Sequence, residues 1–191
     1  MSVRTWAREV SVPPTRLITF GHSTADRAAL IALLRRAGIA AVVDVRTAPG
    51  SRREPDLSRQ RLAEWMPAAG ITYRWEQRLG GFRRPPPDSP DTVWRHASFR
   101  GYAAHARTPQ FVAAMEELLR QAAQERTAVM CSEAVWWRCH RRLIADFAVL
   151  ARGVPVDHLM HDGRLTAHSP TPGVRLRADG LLVYDAAPTP S

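Results

Sequence analysis

The sequence predicts an α/β fold, an open and mainly parallel sheet of about five strands with helices on both faces, plus a small C-terminal extended hairpin. Three observations lead there. Short apolar runs alternate with amphipathic stretches along the chain. The second run, "IAAVVDVR", is apolar almost without interruption, as a strand covered on both faces must be. Chemically capable polar residues recur where the runs stop, and in parallel sheets the carboxyl ends of strands are where loops and helix N-termini gather around ligands.

A length of 191 residues with 45% apolar residues suits one domain. Residues 1–14, ending in Pro13-Pro14, read as a flexible N-terminal arm, 15–185 as a single α/β domain, and 186–191 as a disordered tail. The first strand is expected in "RLITFGHS" from Arg16. The stretch "TADRAALIALLRRAG" then places Leu30, Ile31, Leu33, Leu34 and Ala37 on a helix, with Ser23 or Thr24 to cap it and Gly38 to end it. After "IAAVVDVR" and a basic loop, a weaker helix runs from about Arg59 to Ala69 and leads through Gly70 into the third strand, "ITYRWE".

The following piece, "RLGGFRRPPPDSPDTVWRHASFRGYAAHART", has paired glycines and three consecutive prolines, and reads as an irregular lid or binding loop. Thr108-Pro109 opens an amphipathic helix by the rule of a capping residue followed by proline, with Phe111, Val112, Met115, Leu118 and Leu119 on its apolar side. "TAVMCSE" is the fourth strand, "CHRRLIADFAVLARG" the next helix with Leu143, Ile144, Phe147 and Leu150 inward, and "VPVDHLM" the fifth strand. The remainder holds two short extended pieces, with a turn at Ala178-Asp179-Gly180.

Composition narrows function less than position does. The net charge is +9 and all 27 basic residues are arginine. That exclusivity fits a GC-rich coding sequence, and it also equips the chain for phosphate-bearing ligands and, as an alternative, nucleic acid. No run of 18 apolar residues exists and the N-terminus lacks the apolar middle of a signal peptide, so the expectation is a cytoplasmic protein without membrane contact. The two cysteines are then expected to be reduced.

Applied strand by strand, the carboxyl-end rule gathers His22 and Ser23 after the first strand, Asp44, Arg46 and Arg52 after the second, Cys131 and Glu133 after the fourth, and Cys139, His140 and Arg141 at the following helix start. A helix N-terminus and neighbouring arginines would acidify Cys139. Cys131 suits either a second thiol of a site or a small buried hydrophobe. His22 suits an acid, a base or a hydrogen-bonded structural histidine. A structural role is expected for His158 and His168, and surface positions for His96, His105 and His161. Trp136 and Trp137 read as packing residues or a pocket wall. Cys131, Cys139 and His140, with His22, carry the donor types that zinc prefers, but the spacing of the cysteines is not that of a zinc knuckle. No cofactor is predicted; zinc is the alternative.

The motifs "TFGHST", "VVDVRTAPGSRR", "GITYRWEQRLGG", "GYAAHARTPQF", "VMCSEAVWWRCHRRLIAD" and "VDHLMHDG" together resemble the bacterial domain of unknown function family number 488 over about residues 16–168. The resemblance implies marked positions, not a reaction: His22, Ser23, Asp44, Arg46, Arg52, Gly80, Gly81, Tyr102, Cys131, Glu133, Cys139, His140 and Arg141. A fainter likeness in layout is to rhodanese-type domains, although the loop after Cys131 lacks glycine and is longer than a tight anion cradle. The expectation is an enzyme, a thiol- or carboxylate-dependent transferase or hydrolase. Its catalytic candidates are Cys131, Cys139, Glu133, His22 and Asp44. Its binding candidates for a small anionic, phosphate- or nucleotide-like substrate are Ser23, Arg46, Arg52, Gly80, Gly81, Tyr102, His140 and Arg141.

Overall fold

A computed structural model describes residues 15–50 and 54–185 of the chain. The expected arm at 1–14, Arg52 and the expected tail at 186–191 lie outside the described residues. Strands β1 (Leu17–Gly21), β2 (Ala41–Asp44), β3 (Thr72–Trp75), β4 (Thr127–Cys131) and β5 (Val156–Leu159) pair in parallel in the order β3-β2-β4-β1-β5. A sixth strand, β6 (Leu165–Ala167), adds antiparallel to β5, and β7 (Val174–Leu176) with β8 (Leu182–Tyr184) forms a separate antiparallel hairpin. The C-terminal segment thus supplies three short strands where the sequence suggested two, one extending the sheet and two standing apart from it.

Strands β1, β2 and β4 alternate their side chains between two cores, as the pleat requires. Ile18, Phe20, Val42, Ala128 and Met130 pack with helices α1 (Arg27–Arg36) and α2 (Arg59–Ala68). Leu17, Val43 and Val129 pack with α3 (Ala97–His105), α4 (Pro109–Gln124) and α5 (Arg141–Asp146). Both faces of the sheet are therefore covered, which explains the nearly unbroken apolar character of β2 and β4. Strand β4 lies between β1 and β2 but leads to the opposite face, so the loops after these three strands diverge around its end. That divergence opens a crevice there.

Local chemistry explains the element ends and corrects two expectations. Asp26, not Ser23 or Thr24, caps α1, its carboxylate accepting from the Ala29 amide at 2.8 Å. Thr108 caps α4 as expected, accepting from the Phe111 amide, with Pro109 in the first turn. The stretch taken as an irregular lid contains α3. This helix has no side-chain N-cap and carries a glycine in its middle, so neither of the usual signals announced it. Packing supplies what propensity does not: a Cβ on Gly101 would stand 2.0 Å from the Arg83 carbonyl oxygen. The helix after Cys139 begins at Arg141 and runs on as a π-helical turn, Phe147–Ala151.

Candidate functional site

Parallel pairing continues past the ends of the strands. The His22 amide donates to the Cys131 carbonyl, the Ser23 amide to that of Ser132 and the Val45 amide to that of Met130, each at 2.9 Å. These bonds draw the post-strand residues of β1, β2 and β4 together around a cavity of about 570 Å³. Of the sequence candidates, His22, Arg46, Gly81, Tyr102, Cys131, Glu133, Cys139 and His140 line it, whereas Ser23, Asp44, Gly80 and Arg141 do not. Thr47, Phe82, Ser98 and Ser132 line it as well and carried no signal in the sequence beyond the "GGF" aromatic. Phe82 is 89% exposed and has a φ of 57°, a left-handed conformation that non-glycine residues rarely hold.

The chemical centre of the cavity is a cluster of three side chains. His140 Nδ1 lies 3.9 Å from Cys131 Sγ and 3.7 Å from Cys139 Sγ. His140 Nε2 is 3.2 Å from the Val45 carbonyl, which can only accept, so Nε2 carries a proton and donates it there, and Nδ1 is the nitrogen that faces both sulfurs. The sulfur and nitrogen atoms of this trio all lie within 4.8 Å of one another, close enough to hold a metal ion. Gly81 makes room for the ring: a Cβ there would stand 3.0 Å from Nδ1.

The two thiols are not equivalent. Arg141 is 1% exposed; its Nε donates to Cys139 Sγ at 3.4 Å, its Nη1 to Thr19 Oγ1 at 3.4 Å, and its Nη2 to the Glu133 carbonyl. The Cys139 thiol is brought down to about 6, first by the Cys131 thiol beside it and then by the charge and donors of Arg141, which together outweigh burial. Cys131 is pushed up to about 12, first by the Cys139 sulfur beside it and then by burial, which disfavours a second charge. Of the two, Cys139 is the thiol that ionises more readily. The helix N-terminus expected to acidify Cys139 is not the cause, since Cys139 is extended and precedes α5.

The second group is an ion pair that holds a histidine. Asp44 is fully buried and accepts from Arg46 Nε at 2.9 Å, from Arg46 Nη2 at 2.6 Å and from the Tyr73 hydroxyl at 2.8 Å. Arg46 Nη1 then donates to His22 Nε2 at 3.2 Å, while His22 Nδ1 donates to the Ser23 carbonyl at 2.9 Å. Burial, and then the Arg46 charge, lower His22 to about 4. His22 is therefore a neutral ring with both nitrogens engaged at neutral pH, and Asp44 orients Arg46. Glu133 is exposed and its carboxylate caps the Val135 amide at 3.0 Å.

Arg141 is anchored from behind by a chain of buried side chains. Thr19 Oγ1 donates to His158 Nδ1 at 2.7 Å, His158 Nε2 to His168 Nδ1 at 3.0 Å, and His168 Nε2 to Asp146 Oδ1 at 2.9 Å. Asp146 Oδ2 accepts from Thr171 Oγ1 at 2.6 Å and from the Tyr184 hydroxyl at 3.1 Å. Trp136 stacks on His158 with ring centroids 4.0 Å apart, a packing role away from the cavity. Donation runs in one direction, from a guanidinium that cannot accept to the Asp146 carboxylate, so the chain positions Arg141 and does not conduct protons. His96 is exposed as expected; His105 is half-buried on the Arg78 carbonyl, and His161 reaches the Gly21 carbonyl at 2.7 Å.

The loop after Cys131 spends its amides internally. Those of Arg138 and Cys139 donate to Val135 and Trp136 carbonyls, and that of Val135 to Glu133. Among the described residues, no helix is long and apolar enough to cross a membrane. Comparison with curated proteins and with solved structures found no match. The family model described as "Domain of unknown function DUF488" matches residues 26–148, a span that holds β2, β4, Arg46 and the whole Cys131, Cys139 and His140 cluster. Since that match takes in more than half of the sequence, the chain belongs to the DUF488 family.

Proposed function

We propose that this chain is an enzyme in which Cys139, as a thiolate, attacks a small anionic substrate bound in the cavity. The observation that carries this reading is the meeting of two cysteines and a histidine at the cavity wall, with Arg141 donating to one sulfur only. A nucleophile needs a stabilised charge and a neighbouring proton carrier, and the cluster offers both: Arg141 beside Cys139, and His140 Nδ1 facing both sulfurs. Among the described residues that line the cavity, Arg138, exposed at its edge, is the cation with charge to spare for the substrate, because Arg46 is neutralised by Asp44. The two Arg46 N–H groups outside its bonds to Asp44 and His22 can still orient an oxyanion.

Alkylation with iodoacetamide, followed by peptide mass spectrometry, tests the reading. Cys139 should react at least about tenfold faster than Cys131 at neutral pH, with a rate that is half-maximal near pH 6. Inorganic phosphate should slow the reaction, and Arg138→Ala should remove that protection. Equal reactivity of the two cysteines, or a rate that rises only in the range of an ordinary thiol, would refute it.

The same donor set favours one other reading. Tetrahedral zinc at ordinary Zn–S and Zn–N lengths separates S from N by about 3.6 Å, close to the 3.7 and 3.9 Å seen here. One equivalent of zinc in protein purified without a histidine tag would replace the thiol reading with a zinc-dependent one.

A further inference from the structure

We infer that Cys131 is a resolving thiol for Cys139, so that the pair cycles between dithiol and disulfide and the chain reduces small disulfides that carry anionic groups. This rests on the reading of Cys139 as nucleophile and names its substrate class. The chain has two cysteines, and the fold places them at the end of β4 and just before α5, with their sulfurs within 4.8 Å of each other. A disulfide bond of about 2.05 Å requires the two sulfurs to approach by no more than about 2.8 Å. Both residues are buried, at 6% and 4% exposure, yet both line the cavity, so a small reagent reaches them and a large one does not.

The neighbours divide the roles. Cys139 alone receives the Arg141 N–H, which suits the attacking sulfur; Cys131 has Ser132 Oγ and His140 Nδ1, each at 3.9 Å, and no guanidinium. In the first step the Cys139 thiolate attacks one sulfur of RS–SR. The S–S bond breaks, RS⁻ leaves, and a mixed disulfide Cys139–S–SR forms. In the second, Cys131 gives its proton to His140 Nδ1 and its sulfur attacks that of Cys139. The mixed disulfide breaks, and the second RS⁻ leaves, taking the proton from His140 as RSH. The substrate gains two electrons and the protein loses two; a dithiol reductant restores the pair by the reverse exchange. Arg138 at the cavity edge selects disulfides bearing carboxylates.

The test treats the fully reduced chain with 5,5′-dithiobis(2-nitrobenzoate), a small dianionic disulfide, and reads released thiolate and protein mass. Release of both thiolates with no adduct retained, and a mass lower by about 2 Da, is expected. Cys131→Ser and Cys131→Ala should each stop after one release, holding the reagent on Cys139. A wild-type chain that stops as the mixed disulfide, or that carries one adduct on each cysteine, would overturn the resolving role while leaving the nucleophile reading intact. Failure of Cys139 to react ahead of Cys131 would overturn both.

Discussion

At the scale of single residues, two buried histidines make stability depend on acid. His22 is lowered to about 4, mainly by burial and then by Arg46, and His158 to about 3 by burial, His168 and Arg141. In the unfolded chain both return to the ordinary histidine value near 6.5. Between that value and the folded ones the unfolded state binds more protons, so stability rises with pH; it is fully present above about pH 6.5 and is lost as the pH falls toward 4 and 3. Each histidine contributes up to about 1.4 kcal/mol per pH unit near pH 5. Urea midpoints measured from pH 7 to pH 4 should fall steadily. A flat profile over that range would contradict the burial of both rings in neutral form. The sequence marks His22 as a residue of interest but not its tautomer, because Arg46, the partner of Nε2, is brought to it from beyond β2.

At the scale of elements, most of the regular structure was legible because it rests on periodic burial and local caps. Strand β4 and helix α4 follow the expected boundaries closely, and Gly38, with a φ of 65°, ends α1 as its sequence position suggests. Helix α3 was not legible, since what stabilises it is the 80s segment lying across Gly101. Gly101→Ala should therefore destabilise the protein more than a helical Gly→Ala change elsewhere, which ordinarily favours a helix by up to about 1 kcal/mol. The added methyl would have to displace the Arg83 backbone. A drop of several degrees in thermal midpoint is expected; an unchanged or higher midpoint would show that the segment is not held against α3.

At the scale of the whole molecule, the described structure reaches past the family match at residue 148 and closes on the site. His158 from β5, His168 and Thr171 from the segment after β6, and Tyr184 from β8 all converge on Asp146 or on its partners. Through Thr19 they fix Arg141 beside Cys139. Asp146→Ala leaves His168, Thr171 and Tyr184 with unmet buried polar groups, at a cost of about 3 kcal/mol or more. In the fraction that remains folded, the half-maximal pH for Cys139 alkylation should move upward, as Arg141 loses its anchor. Denaturant midpoints report the first effect and the alkylation profile the second; an unshifted profile would mean that Arg141 is held without the chain. The alternation of strands and helices, the two-faced sheet and the edge at which the cysteines, His22 and Arg46 collect are all legible in the order of residues, because periodicity and strand ends are local properties. Folding alone turns one nitrogen of His140 to both sulfurs, sets Arg141 on Cys139 instead of facing it to the cavity, and brings the C-terminal strands to hold it there. Those facts depend on which buried donors meet which acceptors across distant segments, and nothing in the order of residues states that pairing.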